Sequence, residues 1–418
     1  MTQAIGRKLV VSAINESTFG TTPGGPSAEK LYVKSFGVGG TIAQIIDETL
    51  SGFRGLPQSI EGNKDVTGNV AINVSPQSIA KWLKHLLGLN ATTYAVAKRS
   101  TSTITGVEIL YAETATTAGN GTLTFTASGT TLTWAPSGDT AGAGVDISAG
   151  GDFTITSTGG KDLYVRVTAS LIPGGNQSDT VVIGAGTTYE HVFSPRGTEA
   201  TSMTLEADLG SEISSAYRWL RFLGCRVAKG SFKFGSSGFA EATFDVRGAT
   251  FSNDGGAALD ASPDDYGHTA FSMFRASIEV DGASYALAQD VTLDIDNDAD
   301  DSNFVIGGGG VRGSLPYGFL RVSGSVNALF SDATLLNKAI AGTAAALRIE
   351  LYNGTGAGTS GNEMLVFRIP AVKFEAKTPT VEGPRGVKLQ LSFNAHRPDA
   401  AESQVEVSLR TTRAAATI

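Results

Sequence analysis

An alternating run near residue 66 returns about 256 positions later, and this duplication constrains the fold more than any single motif. Val66, Gly68, Val70, Ile72 and Val74 alternate with Thr67, Asn69, Ala71 and Asn73, and the run ends at Ser75. In the second copy Val322, Gly324, Val326, Ala328 and Phe330 alternate with Ser323, Ser325, Asn327 and Leu329, ending at Ser331. Successive side chains of a strand point to opposite faces, so each copy puts one row in a core and leaves the other on an open face. Both runs lead directly into a short helical pattern. Two copies of a strand-to-helix unit predict two copies of one domain, and paired copies favour ring symmetry over a catalytic cleft.

The helical patterns are brief. Ile79, Trp82, Leu83, Leu86 and Leu87 fall on one helix face, with Ser75 as the expected cap, Pro76 in the first turn and Gly88 as the stop. The second copy offers Ser331 as cap, Leu335, Leu336, Ala339 and Ile340 as the apolar face, and Gly342 as the stop. Each is followed by a hairpin pattern. Val227–Phe234 pairs with Phe239–Val246 across a glycine-rich turn, and Ile369–Phe374 pairs with Val387–Phe393 through Gly383-Pro384-Arg385-Gly386. The 52 glycines and scarce long helical patterns agree with a mainly β chain.

Between the copies the character changes. Over residues 91–188 Leu123 and Phe125 alternate with threonines, Leu132 and Trp134 answer them after a turn, and Leu163, Val165 and Val167 form a third alternation. These short strands read as an inserted, immunoglobulin-like β-sandwich interrupting the first copy. The expected division is an arm over 1–35, a first domain from 36–90 and 189–255, the insertion 91–188, and a second domain 256–418. Few apolar residues anchor the arm, which is expected to order on a partner. Ile42, Ile45 and Ile46 are expected core contacts, and 252–267 is the expected linker.

Chemistry is sparse. A net charge of −8 supplies no broad basic face for phosphate. Cys225 is the only cysteine, which removes multi-cysteine metal sites and reads as a buried apolar group. The acidic run Asp290, Asp294, Asp296, Asp298, Asp300 and Asp301 lacks the calcium-loop pattern, since Ala299 and Val305 stand where glycine and glutamate are needed. Gly307 to Gly310 leads into Val311-Arg312-Gly313 rather than into a phosphate-binding helix. His85, His191, His268 and His396 have no ligand-spaced partners. No catalytic residue, cofactor or metal is expected, nor is a membrane span or secretory signal.

The order Glu16-Ser17-Thr18-Phe19-Gly20-Thr21-Thr22-Pro23, Gly62-Asn63-Lys64-Asp65-Val66-Thr67-Gly68, Trp82-Leu83-Lys84-His85-Leu86-Leu87-Gly88 and Tyr189-Glu190-His191-Val192-Phe193 resembles the tail tube proteins of long-tailed bacteriophages. The closing hairpins, around Gly238 to Gly248 and Gly383 to Ala395, fit the same resemblance. It implies two tandem tube domains of β-sandwich or barrel type with short helices. It also implies homotrimer rings of pseudo-six-fold symmetry stacked into a tube, contacts with other tail proteins, and a lumen passing tape-measure protein and phage DNA without sequence-specific binding. The product would be made in the host cytoplasm and reside in the virion tail. The insertion is expected as an exterior decoration. A polar, net-negative lumen is expected to let DNA slide, with Asn69, Asn73, Glu241, Asp245, Ser325 and Asn327 as its lining residues. The alternatives are another ring-forming tail protein (tip or terminator) and an extracellular β-rich adhesin.

Overall fold

One antiparallel sheet runs through both halves of the chain, and its strand order occurs twice. The computed structural model describes residues 3–25, 27–49, 58–90, 94–95, 103–113, 120–182, 188–253, 256–331, 333–356, 358–379, 386–398 and 403–414. The strands of this sheet, numbered in chain order, are β1 (Gly39–Ile46), β2 (Ser59–Asn73), β3 (Trp219–Gly235), β4 (Glu241–Gly248), β5 (Ala288–Asp296), β6 (Arg321–Leu329), β7 (Met364–Phe374) and β8 (Lys388–Ala395). Their spatial order is β1-β2-β4-β3-β5-β6-β8-β7. The pattern 1-2-4-3 is therefore followed by 5-6-8-7.

Register agrees with order. Asn73 faces Glu241 and Val66 faces Gly248 in the first half. In the second, Leu329 faces Lys388 and Ser323 faces Asn394. The second layer is duplicated as well. Val10–Glu16, Ser202–Asp208, the start of β3 and Thr250–Asn253 lie side by side. Ala276–Val280, Ala345–Tyr352, the start of β7 and Glu406–Thr411 repeat that arrangement. β3 and β7 belong to both layers, and the buried rows of the two layers form one continuous core.

The two described α-helices close that core. α1 (Ile79–Leu87) buries Ile79, Trp82, Leu83, Leu86 and Leu87, and Trp82 stacks on Phe244 of β4 with ring centroids 4.9 Å apart. Burying each large side chain contributes about 1.5–3 kcal/mol, which such a short helix needs. The helix packs closely over Gly230, where a Cβ would lie 2.6 Å from Leu86 Cδ2. The helix begins after Ser78 rather than at Ser75. Ser75 instead closes a preceding turn, its carbonyl accepting the Ile79 N–H and its hydroxyl the Gln77 N–H. α2 (Thr334–Ala341) likewise starts after Ala333, and it buries Leu335 and Ala339. Ile340, expected on the same face, is 65% exposed because so short a helix offers only a narrow stripe to β7.

Three further expectations change. Residues 1–35 are not an arm awaiting a partner: Val10–Glu16 pairs along its whole length with Ser202–Asp208, and Val11 and Ala13 are buried. The Glu16 carboxylate accepts hydrogen bonds from Ser202, Thr204 and the Gly224 N–H. The stabilising partners come from nearly two hundred residues away, which local composition does not reveal. Ile42, Ile45 and Ile46 are not core contacts but are 40%, 55% and 49% exposed. There β1 pairs only with β2 among the described residues, so the hairpin has no third strand to cover it. The second closing hairpin is also shorter than expected. β7 and β8 meet over Val372–Phe374 and Phe393–Ala395, β8 pairing mainly with β6. The expected Gly383-Pro384-Arg385 turn lies outside the described residues.

The insertion forms two sheets around Leu123, Phe125, Leu132, Trp134, Leu163 and Val165, all buried as their alternation predicts. One of its sheets continues through Tyr94–Ala95 into Tyr189–Phe193 and on to Glu406–Thr411. Arg166 also reaches Glu279 at 3.0 Å and Glu350 at 3.7 Å. The insertion is thus joined to the second half by backbone ladders and buried charge.

Candidate functional site

Directly opposite residues of antiparallel strands share a face, so the registers assign every side chain of the shared sheet. One row joins Asn73, Glu241, Lys233, Thr292, Ser325 and Ser392. A second joins Ala71, Thr243, Ser231, Asp294, Ser323 and Asn394. A third joins Asn69, Asp245, Lys229, Asp296 and Arg321. Asn327 falls on the same face opposite Asp290 and Gln390. Asn69, Asn73, Glu241, Asp245, Ser325 and Asn327 are therefore brought together on one face of one sheet. The other face carries Val70, Ile72, Phe244, Phe232, Leu293, Ile295, Val326, Leu391 and Phe393, all buried.

The polar face is not acidic. Lys229, Lys233, Arg247, Arg321 and Lys388 interleave with Glu241, Asp245, Asp290, Asp294 and Asp296. Neighbours pair across strands: Lys229 lies 3.5 Å from Asp294, Ser231 donates to Asp294, and the Thr292 and Ser325 hydroxyls are 2.9 Å apart. Arg321 reaches Asp298 at 3.0 Å, Arg247 reaches Asp301 at 3.6 Å, and Lys34 pairs with Glu241. The chain's net negative charge thus does not accumulate here, which corrects the expected net-negative surface. Lys229 and Lys233 face Asp245 and Glu241 within the expected β3–β4 hairpin, whereas Asp294, Asp296 and Arg321 join the same face only through the β3–β5 junction.

The remaining candidates serve the fold. The Asp290–Asp301 run divides between this face and the loop leading to β6, where Asp300 bonds Ser302. Among the described residues no group of three His, Cys, Asp or Glu could hold a metal ion, and no helix is long and apolar enough to cross a membrane. The Gly307–Gly310 segment packs on the first half, Gly310 accepting the Lys64 N–H. Cys225 is fully buried, which pushes its thiol far up. His85 is buried with Nε2 at 3.0 Å from Asn15 Oδ1, and desolvation, aided by Lys81, Lys84 and Arg226, holds its pKa well below the ordinary value.

His191 sits beside the Arg413 carbonyl, 2.7 Å from Nε2, and burial lowers its pKa to about 4. The depressed folded value gives a definite sign. The unfolded state takes up the proton first, so this contribution is complete above about pH 6.5 and is lost as pH falls toward 4. Its size is roughly 3 kcal/mol at most. Denaturation midpoints of wild type and His191→Gln, compared from pH 7 to pH 4, should converge on acidification. A constant difference would show that His191 does not titrate on unfolding.

The fold is a duplicated sandwich whose shared sheet carries a buried row on one side and a polar row on the other. The sequence signature of the phage tail tube protein family matches residues 6–210 and again residues 138–395, and the chain belongs to that family. No curated protein matches it. The overlapping matches fit a tandem-domain tube protein, and the family is structural, placing the chain in the virion tail with other tail components.

Proposed function

We propose that the chain is the repeating unit of the tail tube: copies close into trimer rings of pseudo-six-fold symmetry, and the rings stack into a conduit for DNA during ejection. Residues 36–90 with 189–255, joined by Val10–Glu16, form one tube domain; 256–418 form the other; 91–188 is an exterior decoration. The single observation supporting this reading is the shared sheet, whose order 1-2-4-3 is repeated as 5-6-8-7 with every polar row on one side. Asn69, Asn73, Glu241, Asp245, Ser325 and Asn327 line the lumen, where tape-measure protein and DNA pass without sequence-specific contacts.

Sliding follows from charge balance. Lys229, Lys233, Arg247 and Arg321 stand beside carboxylates, so no continuous counterion-releasing basic track forms. Residual fields are screened within roughly 8–10 Å. Electron microscopy of the purified chain should show hollow filaments. Single rings would indicate a tip or terminator role, and a monomer would remove the tube reading. Phage carrying Glu241→Lys with Asp245→Lys should keep intact tubes but deliver DNA several-fold more slowly at low salt, the difference shrinking as salt rises. Unchanged ejection kinetics would place these residues outside the lumen.

A further inference from the structure

Within the shared sheet the described residues join the two halves at one junction, and the sheet is left with an equivalent pair of open edges at its two ends. β3 meets β5 in antiparallel register from Lys229 opposite Asp296 to Gly235 opposite Asp290. The duplication gives each partner a counterpart. Asp296 faces Arg321 as Thr41 faces Asp65, and Arg321 stands about 256 residues after Asp65. The segment from Ser35 to Thr41, paired on one side with β2, is therefore the first-half equivalent of β5.

The other counterpart follows β7. Lys229 faces Asp245, which faces Asn69. Glu375 donates its N–H to the Ser392 carbonyl at 2.8 Å, and Ser392 faces Ser325, about 256 residues after Asn69. Residues 375–379 thus stand where β3 stands in its junction with β5. Lys373, Glu375, Ala376, Lys377 and Thr378 are exposed, as are Ser35, Gly37, Gly39 and Thr41. Neither segment has a second ladder partner among the described residues. Unpaired edges of this kind template pairing with another chain.

Resting on the tube reading, we infer that residues 375–379 of one copy pair antiparallel with residues 37–41 of the next, Glu375 opposite Thr41 and Lys377 opposite Gly39. The contact joins two different surfaces, so it is heterologous and propagates until the rotation closes. The edge geometry agrees. The Glu375 N–H is used toward β8, and Gly37 donates its N–H to the Asn69 carbonyl of β2. Odd-numbered residues on both segments therefore bond away from the seam, leaving the even-numbered N–H and C=O groups to form it. Lys229 and Asp296 have the same standing at the internal junction, where the adjacent Asn297 N–H bonds the Ala228 carbonyl.

Glu375 and Thr41 then form a non-hydrogen-bonded pair, a spacing of about 4.5 Å between Cα atoms that a disulfide can bridge. The native thiol of Cys225 is buried and does not compete. Full-length Thr41→Cys/Glu375→Cys, assembled and then oxidised, should convert most chains to reductant-sensitive covalent multimers. Thr41→Cys/Ala376→Cys moves one thiol to the opposite face and should remain near background. Filaments without cross-linking in the first variant, or equal cross-linking in both, would overturn the seam and leave the tube standing. Cross-linked multimers without filaments would support the seam and remove the tube.

Discussion

Glu29→Ala should cost about 3–5 kcal/mol, the penalty for stranding buried charge. Glu29 is 4% exposed and accepts from both terminal nitrogens of Arg413, at 2.8 and 3.1 Å. Lys81 of α1 lies 3.5 Å from the same carboxylate, and Arg413 also stacks over Tyr266 at 4.0 Å. One anion thus holds two buried cations drawn from the helix and from the far end of the chain. Burial already lowers the Lys81 pKa, so removing its anion lowers it further. Glu29→Gln should lose most of the same stability because the charge, not the shape, is missing. Breaking the exposed Lys34–Glu241 pair with Glu241→Gln should cost less than about 1 kcal/mol. Thermal or denaturant midpoints of the three variants provide the check. Equal losses at Glu29 and Glu241 would show that the buried cluster is not a fastening point.

What could be read from the residues differs by scale. Alternation in Val66–Val74, Ala240–Val246 and Leu389–Phe393 fixes which side chains are buried, because a period of two is a local property of a strand. The duplication was visible for the same reason. Pairing is not local. Val10–Glu16 looks unanchored until Ser202–Asp208 lies beside it, and Ile42, Ile45 and Ile46 look like core until β1 is seen to have one neighbour. The candidate face follows the same division. Asn69, Asn73, Glu241, Asp245, Ser325 and Asn327 are legible as open-row residues, and the predicted hairpin already sets Lys229 and Lys233 opposite Asp245 and Glu241. The junction that adds Asp294, Asp296 and Arg321 to the face, by contrast, spans about sixty residues.

The duplication also predicts matched responses to one small substitution made twice. Gly68 and Gly324 are equivalent positions on β2 and β6. A Cβ on Gly68 would lie 2.2 Å from the Gly37 carbonyl oxygen, and one on Gly324 would lie 2.1 Å from the Thr292 carbonyl oxygen and 2.5 Å from Phe393 Cζ. Gly37 and Thr292 are themselves equivalent, since each is one residue after the position facing Val70 or Val326. In both copies the same neighbouring backbone is approached too closely for any side chain. Real structures do not tolerate such contacts, so the strands must shift, and overpacking of this kind costs about 1–3 kcal/mol or more. Gly68→Ala and Gly324→Ala should each lower the thermal midpoint by several degrees, at about 2–4 °C per kcal/mol for a domain of this size. Gly175→Ala, with no atom within 4 Å of the new Cβ, should leave it unchanged. Because the two close approaches lie on either side of the β3–β5 junction, a loss at only one of them would mean that the halves do not share one packing solution. The equivalence used to place the seam between copies would then lose its basis.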